Sequence, residues 1–382
     1  MLTTSPKLIK RRGLIAQPGP GGASLSRSGK ALDTLFNNSS EQARSQSACF
    51  DRNEPYRLQI ECTNECSANC AYCYARVMEA EEPLTTREIK SLLRQAANLG
   101  IKQIDWMGGD PLQRPDWVEL MQAVRYAGMT NNLWTCGPRL NDIVTAKRVI
   151  ELTQDGFVMI HLDSLDPKVL GSLRYNYHPR QVRATITGLE MLLEAGKPPC
   201  DIANMIMLTG HHTPEDVKKT MEFMYRRYRV STCLMSLKPV DERGSIYSYL
   251  PRTQDVNITY RRRDEMFLSG RGMGCQEFPK QYCGSCVFVS RDGKVSPCYS
   301  LRRTLGNVRE QSLGDIIDSN SSSLFFAPYR KNDRSATCSA CDSNLCWGCR
   351  ANAFYFAGSA YLEDPLCSHS HIDTDHCPYC RE

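Results

Sequence analysis

The chain has 382 residues, 41% of them apolar and 23% charged, which excludes a peptide-sized scaffold and a disordered or fibrous polymer and leaves room for one large domain and a smaller one. Its net charge of +5 is matched by residues 1–50 alone, which carry seven Lys/Arg and two Asp/Glu, so the remainder is formally neutral and unlike a nucleic-acid-binding body. The longest apolar runs, such as Met205 to Leu208, fall far short of the roughly 20 residues that a membrane span needs. Residues 1–54 combine Gly19-Pro20-Gly21-Gly22 with Ser, Asn and Gln and predict a flexible basic arm. From Tyr56 the pattern alternates. Strands are predicted at Tyr56–Glu61, Ile101–Met107, Asn132–Thr135, Phe157–Leu162, Asp201–Leu208 and Val230–Leu237. Between them the apolar spacing predicts helices at Thr85–Leu99, Trp117–Ala127, Asp142–Leu152, Gln181–Ala195 and Pro214–Tyr228. Regular βα alternation implies parallel strands with right-handed crossovers. Residues 55–240 are too few for an eight-unit barrel of about 250 residues, so the expected fold is α/β, a partial (β/α)6 TIM-like barrel. Residues 241–274 then read as a linker. A small cysteine-rich domain follows at 275–370, with hairpin strands at Val287–Val289 and Val295–Tyr299 and little helix before Arg350, and residues 371–382 form a His/Cys tail.

The 19 cysteines are clustered: four lie between Cys62 and Cys73 and eleven between Cys275 and Cys380. A long chain with an odd count, and with Lys7, Lys10, Arg11 and Arg12 leading into a Gly/Pro/Ser stretch where a signal peptide would stand, points to metal thiolates in a reducing cytoplasm and away from a disulfide framework. Cys66, Cys70 and Cys73 form C-x3-C-x2-C directly after the first strand, with Tyr72 before the last thiol. Three thiolates hold three irons of a four-iron cluster and leave the fourth open to a ligand, and a loop at the C-terminal end of a barrel strand is where βα folds place reactive centres. The alternative is a zinc knuckle closed by Cys62, four residues upstream.

Written out, C-S-A-N-C-A-Y-C resembles the signature of the radical S-adenosylmethionine (SAM) superfamily, and Gly108-Gly109-Asp110-Pro111, ending the second strand, is similar to that family's glycine-glycine-acid-proline motif. Asp110 stands where Glu is commoner. The resemblance implies that Gly108, Gly109, Asp110 and Pro111 meet the methionyl amino group, and two glycines let backbone approach closely. Thr135-Cys136-Gly137 stands where Thr-Asn-Gly is frequent, and His161-Leu162-Asp163 where Ser-Leu-Asp is frequent. Tyr72, Thr135, His161 and Asp163 thereby join the implied cofactor site, and Arg174 resembles the base that pairs with the cofactor carboxylate, with Arg180 and Arg183 nearby. The implied chemistry is reductive cleavage of SAM to a 5′-deoxyadenosyl radical that abstracts a substrate hydrogen, fed by a donor such as flavodoxin or ferredoxin.

Cys283, Gly293 and Cys298, then Cys338-x2-Cys341-x4-Cys346-x2-Cys349 and, after Asp364-Pro365, Cys367, resemble the SPASM extension of such enzymes, which holds two auxiliary [4Fe-4S] clusters. By that resemblance one cluster takes Cys283, Cys298 and Cys349 with Cys275 or, as its rival, Cys286. The other takes Cys338, Cys341, Cys346 and Cys367. Paired zinc sites are the alternative for these sets. His369, His371, His376, Cys377 and Cys380 read as a tail or an occasional metal site. Enzymes with this pair of domains commonly modify peptide or protein side chains, the leading expectation. Tailoring of a small cofactor such as a modified tetrapyrrole is the second, and a non-catalytic iron–sulfur carrier the third.

Overall fold

The computed structural model describes residues 41–77, 82–239, 246–267, 280–320, 335–340 and 348–367. Six strands, β1 Arg57–Glu61, β2 Gln103–Met107, β3 Thr130–Thr135, β4 Val158–His161, β5 Ile202–Leu208 and β6 Ser231–Ser236, pair in parallel in sequence order. Helices alternate with them: α2 Thr86–Asn98, α3 Trp117–Tyr126, α4 Ile143–Leu152, α5 Pro179–Glu194 and α6 Pro214–Tyr228. Every residue of β1 and β2 is buried, as expected for parallel strands covered on both faces. Caps set the helix starts. Thr85 and Glu88 form a capping box on α2, and Asp142 and Thr213 accept backbone amides at α4 and α6. One apolar core lies between sheet and helices, through Leu58, Ile60, Ile104, Leu133 and Leu189; a second, through Met159, Met205, Met235 and Phe288, fills the inside of the curve.

The sheet does not stop at β1. Its order is β6-β5-β4-β3-β2-β1-β7-β8-β9, with β7 Cys286–Val289 parallel to β1 and β8 Lys294–Ser296 and β9 Gly306–Asn307 continuing antiparallel. The partial barrel is therefore extended at its first strand by the start of the cysteine-rich region. Gly293, at φ +86°, makes the β7–β8 turn, and a Cβ there would stand 2.6 Å from Asn307 Oδ1.

Three expectations are corrected. The arm expected over 1–54 contains helix α1, Glu41–Arg52, with Ala43, Gln46, Cys49 and Phe50 buried and Gln46 Nε2 donating to Ser285 Oγ at 3.2 Å; residues 1–40 lie outside the described part. Within the expected linker, α7, Thr253–Phe267, packs against α6 through Phe267 and Tyr225, and Tyr260 Oη accepts from Ser236 N. The stretch expected to hold little helix contains α8, Leu313–Asn320, whose first amide donates to Gln95 of α2 at 2.7 Å. Helix α9, Arg350–Ala357, follows.

Candidate active site

The C-terminal strand ends surround a cavity of about 490 Å³. Cys66, Cys70 and Cys73 line it, with Gly108 and Gly109 from the end of β2, Thr135 and Cys136 from β3, and His161 from β4. The cysteine loop is fixed by backbone contacts on two sides. Ala71 N donates to Leu173 O, Tyr175 N to Asn69 O, and Cys70 bridges Arg174 in strand fashion. On the other side Gly109 N donates to Thr63 O and Asp110 N to Glu65 O, both at 2.6 Å. A Cβ on Gly108 (φ +125°) would stand 2.4 Å from Thr63 O, and one on Gly109 2.2 Å from Glu65 O. Both glycines are therefore required by the approach of the cysteine loop itself.

Asp110 is fully buried and does not line the cavity. Its carboxylate accepts from Thr135 Oγ1 at 2.9 and 3.0 Å, Cys136 Sγ at 2.8 Å and Leu112 N at 3.2 Å. Burial raises its pKa against the lowering effect of those donors. Thr135 and Cys136, its hydrogen-bond partners, do line the cavity. Pro111 begins the turn behind Asp110 and is likewise outside the lining.

Asp163, also fully buried, accepts from Tyr72 Oη at 2.8 Å and Met207 N at 3.1 Å, and lies 2.7 Å from His161 Nε2 and 3.8 Å from Arg174 Nη2. Burial pushes its carboxyl up, but His161 and Arg174 outweigh it and hold the pKa below the ordinary carboxylate range. Arg174 keeps Nε and Nη2 buried with no hydrogen-bond partner.

Burial pushes the Cys70 thiol up and the Cys73 thiol to about 11, whereas the 3.9 Å contact with Cys136 Sγ lowers Cys66 to about 7. Cys62, considered as a closing zinc ligand, points elsewhere: its thiol donates to Met107 O at 3.4 Å, is pushed by burial to about 12, and does not line the cavity. Among the described residues no three His, Cys, Asp or Glu side chains converge into a ready metal site. The residues nevertheless fit an open iron–sulfur centre with an amino-acid ligand: three free thiols line the cavity, no carboxylate lines it among the described residues, and the Arg174 guanidinium, with two nitrogens lacking hydrogen bonds, lies behind Cys70.

Of the auxiliary ligand candidates, Cys283 ends a short helix, Cys298 follows β8 and Cys349 precedes α9; Cys298 and Cys349 pack on one apolar cluster with Leu301 and Ala351. Asp364 organises the last two loops, accepting from Cys349 N at 2.7 Å and from Leu366 N at 3.0 Å, while its carbonyl takes Cys367 N at 2.9 Å. Cys338 lies in a short helix, and Cys286 is buried within β7. Cys275, Cys341 and Cys346 lie outside the described residues, as does the His/Cys tail.

Sequence reasoning passed over the methionine wall of Met107, Met159, Met205, Met207 and Met235, although strand alternation at 159/161 and 205/207 places these side chains on one face. It also passed over Glu61, whose buried carboxylate is held by Arg291 at 2.9 Å and Arg302 at 3.1 Å, tying β1 to the cysteine-rich region.

The parallel partial barrel with a tricysteine loop at its C-terminal strand ends defines the class of fold. The Radical SAM superfamily model matches residues 60–224, and the model for SPASM, an iron–sulfur cluster-binding domain, matches 281–342. The chain belongs to the radical SAM superfamily and carries a SPASM domain; it is an enzyme of that class. It is 27% identical over 281 residues to the probable GTP 3′,8-cyclase of Methanosarcina acetivorans, covering 66% of this chain and 80% of that protein. It is 26% identical over 344 residues to the PqqA peptide cyclase of Rhizobium meliloti, covering 83% and 88%. Streptococcus suis SuiB bound to precursor peptide SuiA superposes with a TM-score of 0.61 at 16% identity, covering 86% and 80%, a likeness of fold. No described helix is long and apolar enough to cross a membrane.

Proposed function

We propose that this enzyme modifies a side chain of a peptide or protein substrate in the cytoplasm, using SAM at the Cys66, Cys70 and Cys73 centre and two auxiliary [4Fe-4S] clusters. The observation that carries the reading is the size of the cavity. At about 490 Å³ it falls within the range of about 300–1,000 Å³ for ligand sites, and it must hold the cofactor together with the reacting part of the substrate. A side chain entering from a peptide fits such a cavity with its backbone left outside. The similarity to a peptide cyclase over most of both chains supports the same reading.

When bound, SAM and its cluster supply a hydrogen-abstracting radical. The chain's own part is placement. Cys66, Cys70 and Cys73 hold the cluster, and the Gly108-Gly109 backbone with Thr135 and Cys136 forms the wall that receives the amino-acid end of SAM. Asp110 fixes Thr135 and Cys136 from behind, and Arg174 supplies positive charge on the far side of Cys70. Met159, Met205, Met207 and Met235 make an adaptable apolar floor that excludes water and accepts the substrate side chain. A flavodoxin or ferredoxin is the expected electron donor.

The test is anaerobic reconstitution with iron counting, followed by 5′-deoxyadenosine measurement in the presence of peptides, GTP or tetrapyrroles. Three clusters are expected, and replacing all three loop cysteines with Ala should remove about a third of the iron and all cleavage. Stimulation by peptides supports the reading; stimulation by GTP or a tetrapyrrole alone, or a triple variant that still forms 5′-deoxyadenosine, overturns it.

A further inference from the structure

The charged side chains that line the cavity are all basic: Arg76, His161, Lys238 and Arg291, with no carboxylate on the lining among the described residues. Two of the four are matched by acids set behind the wall. His161 lies 2.7 Å from buried Asp163, and Arg291 lies 2.9 Å from buried Glu61. Arg76 is exposed and covers the Tyr175 ring at 4.8 Å. Lys238 differs in place and setting. It stands two residues past β6, the edge strand of the sheet, whereas the cysteine loop follows β1. It is 3% exposed, and its Nζ donates to Ser236 O at 2.9 Å and Ser236 Oγ at 3.5 Å, which holds the ammonium beside another lining residue. The lining around it from β4 to β6 is Met159, Met205, Met207, Met235 and Leu237. An ammonium in such a wall costs desolvation that another Met or Leu would avoid, and a mostly apolar site with one placed polar group is the form that fixes a ligand's orientation.

We propose that Lys238 is a substrate-binding residue that takes a carboxylate of the peptide, which makes this a site for acidic substrates. This rests on the reading of a peptide substrate given above. The amino-acid end of SAM is assigned to the glycine backbone, Thr135 and Cys136, with Arg174 behind Cys70, so the cation at the β6 edge is left to the substrate. A cavity whose charged lining has one sign concentrates ligands of the other. The methionines pack against methylene groups, and Lys238 receives the charged end. That combination describes the side chain of a glutamate or aspartate; a carboxylate at the end of a peptide chain offers the same chemistry without the stem. A charge-assisted hydrogen bond of this kind is worth about a ten- to hundredfold preference for the carboxylate over the matching amide.

The experiment uses full-length, reconstituted, SAM-loaded enzyme as wild type, Lys238→Met and the conservative Lys238→Arg, with ligand-observed saturation-transfer nuclear magnetic resonance as the readout. The probes are N-acetylglutamate α-amide, N-acetylglutamine amide and N-acetylglycine. Expected is about ten- to hundredfold tighter binding of the glutamate probe than of the glutamine probe, lost in Lys238→Met and largely kept in Lys238→Arg, at unchanged iron content and SAM affinity. N-acetylglycine binding as tightly as the glutamate probe, with the same loss in Lys238→Met, assigns the site to a chain end; weaker binding assigns it to a side chain. Equal binding of the glutamate and glutamine probes, or a preference that survives Lys238→Met, overturns the proposal. So does a Lys238→Met enzyme that loses SAM affinity and keeps the preference, because Lys238 would then serve the cofactor. The peptide reading fails separately: 5′-deoxyadenosine formation driven only by GTP or a tetrapyrrole removes the peptide, while a Lys238-dependent glutamate preference would still establish the carboxylate site.

Discussion

Replacing Asp163 with Asn should loosen the cysteine loop without touching a cysteine. The carboxylate takes hydrogen bonds from Tyr72 in the loop and Met207 N in β5, contacts His161 at the end of β4, and faces Arg174, whose backbone is bridged to Cys70. Asparagine keeps the shape and one acceptor but loses the charge, leaving Arg174 as a buried cation without its counter-ion. A hydrogen bond to a charged group is worth about 1.5–3 kcal/mol, and removing one partner of a buried ion pair costs about 3–5 kcal/mol. These overlap at one site, so about 3–5 kcal/mol is the whole expectation, equivalent to a fall in Tm of roughly 4–6 °C. The pH dependence has a definite sign. The native pKa of Asp163 is depressed, so its contribution is complete above the unfolded value of about 3.9 and disappears only as pH falls through the native one. The gap between wild type and variant should shrink below about pH 4. Anaerobic circular dichroism melts of the metal-free protein, with maleimide labelling of Cys66 and Cys73, check this. Melts within about 1 °C of wild type, together with unchanged labelling rates, would refute the anchoring role.

Gly109→Ala places a Cβ 2.2 Å from Glu65 O, a backbone atom that cannot swing aside, so the first cluster should be lost while the auxiliary signals persist in iron counts and paramagnetic resonance. Asp110→Ala leaves Thr135, Cys136 and Leu112 N unpaired, and should cost about 2–4 kcal/mol in thermal melts and weaken SAM binding at unchanged iron; overlaying isotherms would exclude this. Cys338→Ala combined with Cys341→Ala should make the chain protease-sensitive beyond Asn320. Because β7, β8 and β9 belong to the barrel sheet, the resistant fragment should extend through α8, and mass spectrometry of the digest would show a cut at about Pro239 if that pairing were weak.

The βα alternation was legible because parallel strands are buried on both faces and read as apolar runs, and because Thr85, Asp142 and Pro214 mark helix starts in the sequence. Helix α1 escaped notice because its buried face includes the polar Gln46 and its apolar residues, Ala43, Cys49 and Phe50, are few within a largely polar stretch. Helix α7 escaped for a stronger form of the same reason. It buries Asn257, Thr259 and the paired Arg263 and Asp264 among Val256, Tyr260 and Phe267, so its inward face is a mixed one that does not read as an apolar stripe. The pairing of β7 with β1 joins residues more than two hundred positions apart, and no local pattern encodes it.

The position of Asp110 shows how two departures from a motif can answer each other. Aspartate is one methylene shorter than the commoner glutamate, so its carboxylate stops behind the cavity wall instead of entering it. A bare buried carboxylate there would be costly. Thr135 reaches it with a hydroxyl, and Cys136, standing where an amide is frequent, reaches it with a thiol at 2.8 Å that burial and the neighbouring Cys66 keep protonated. The short acid and the cysteine thus satisfy one another. The cavity is lined by that pair of side chains and the glycine backbone beside them, with the acid holding the pair from behind.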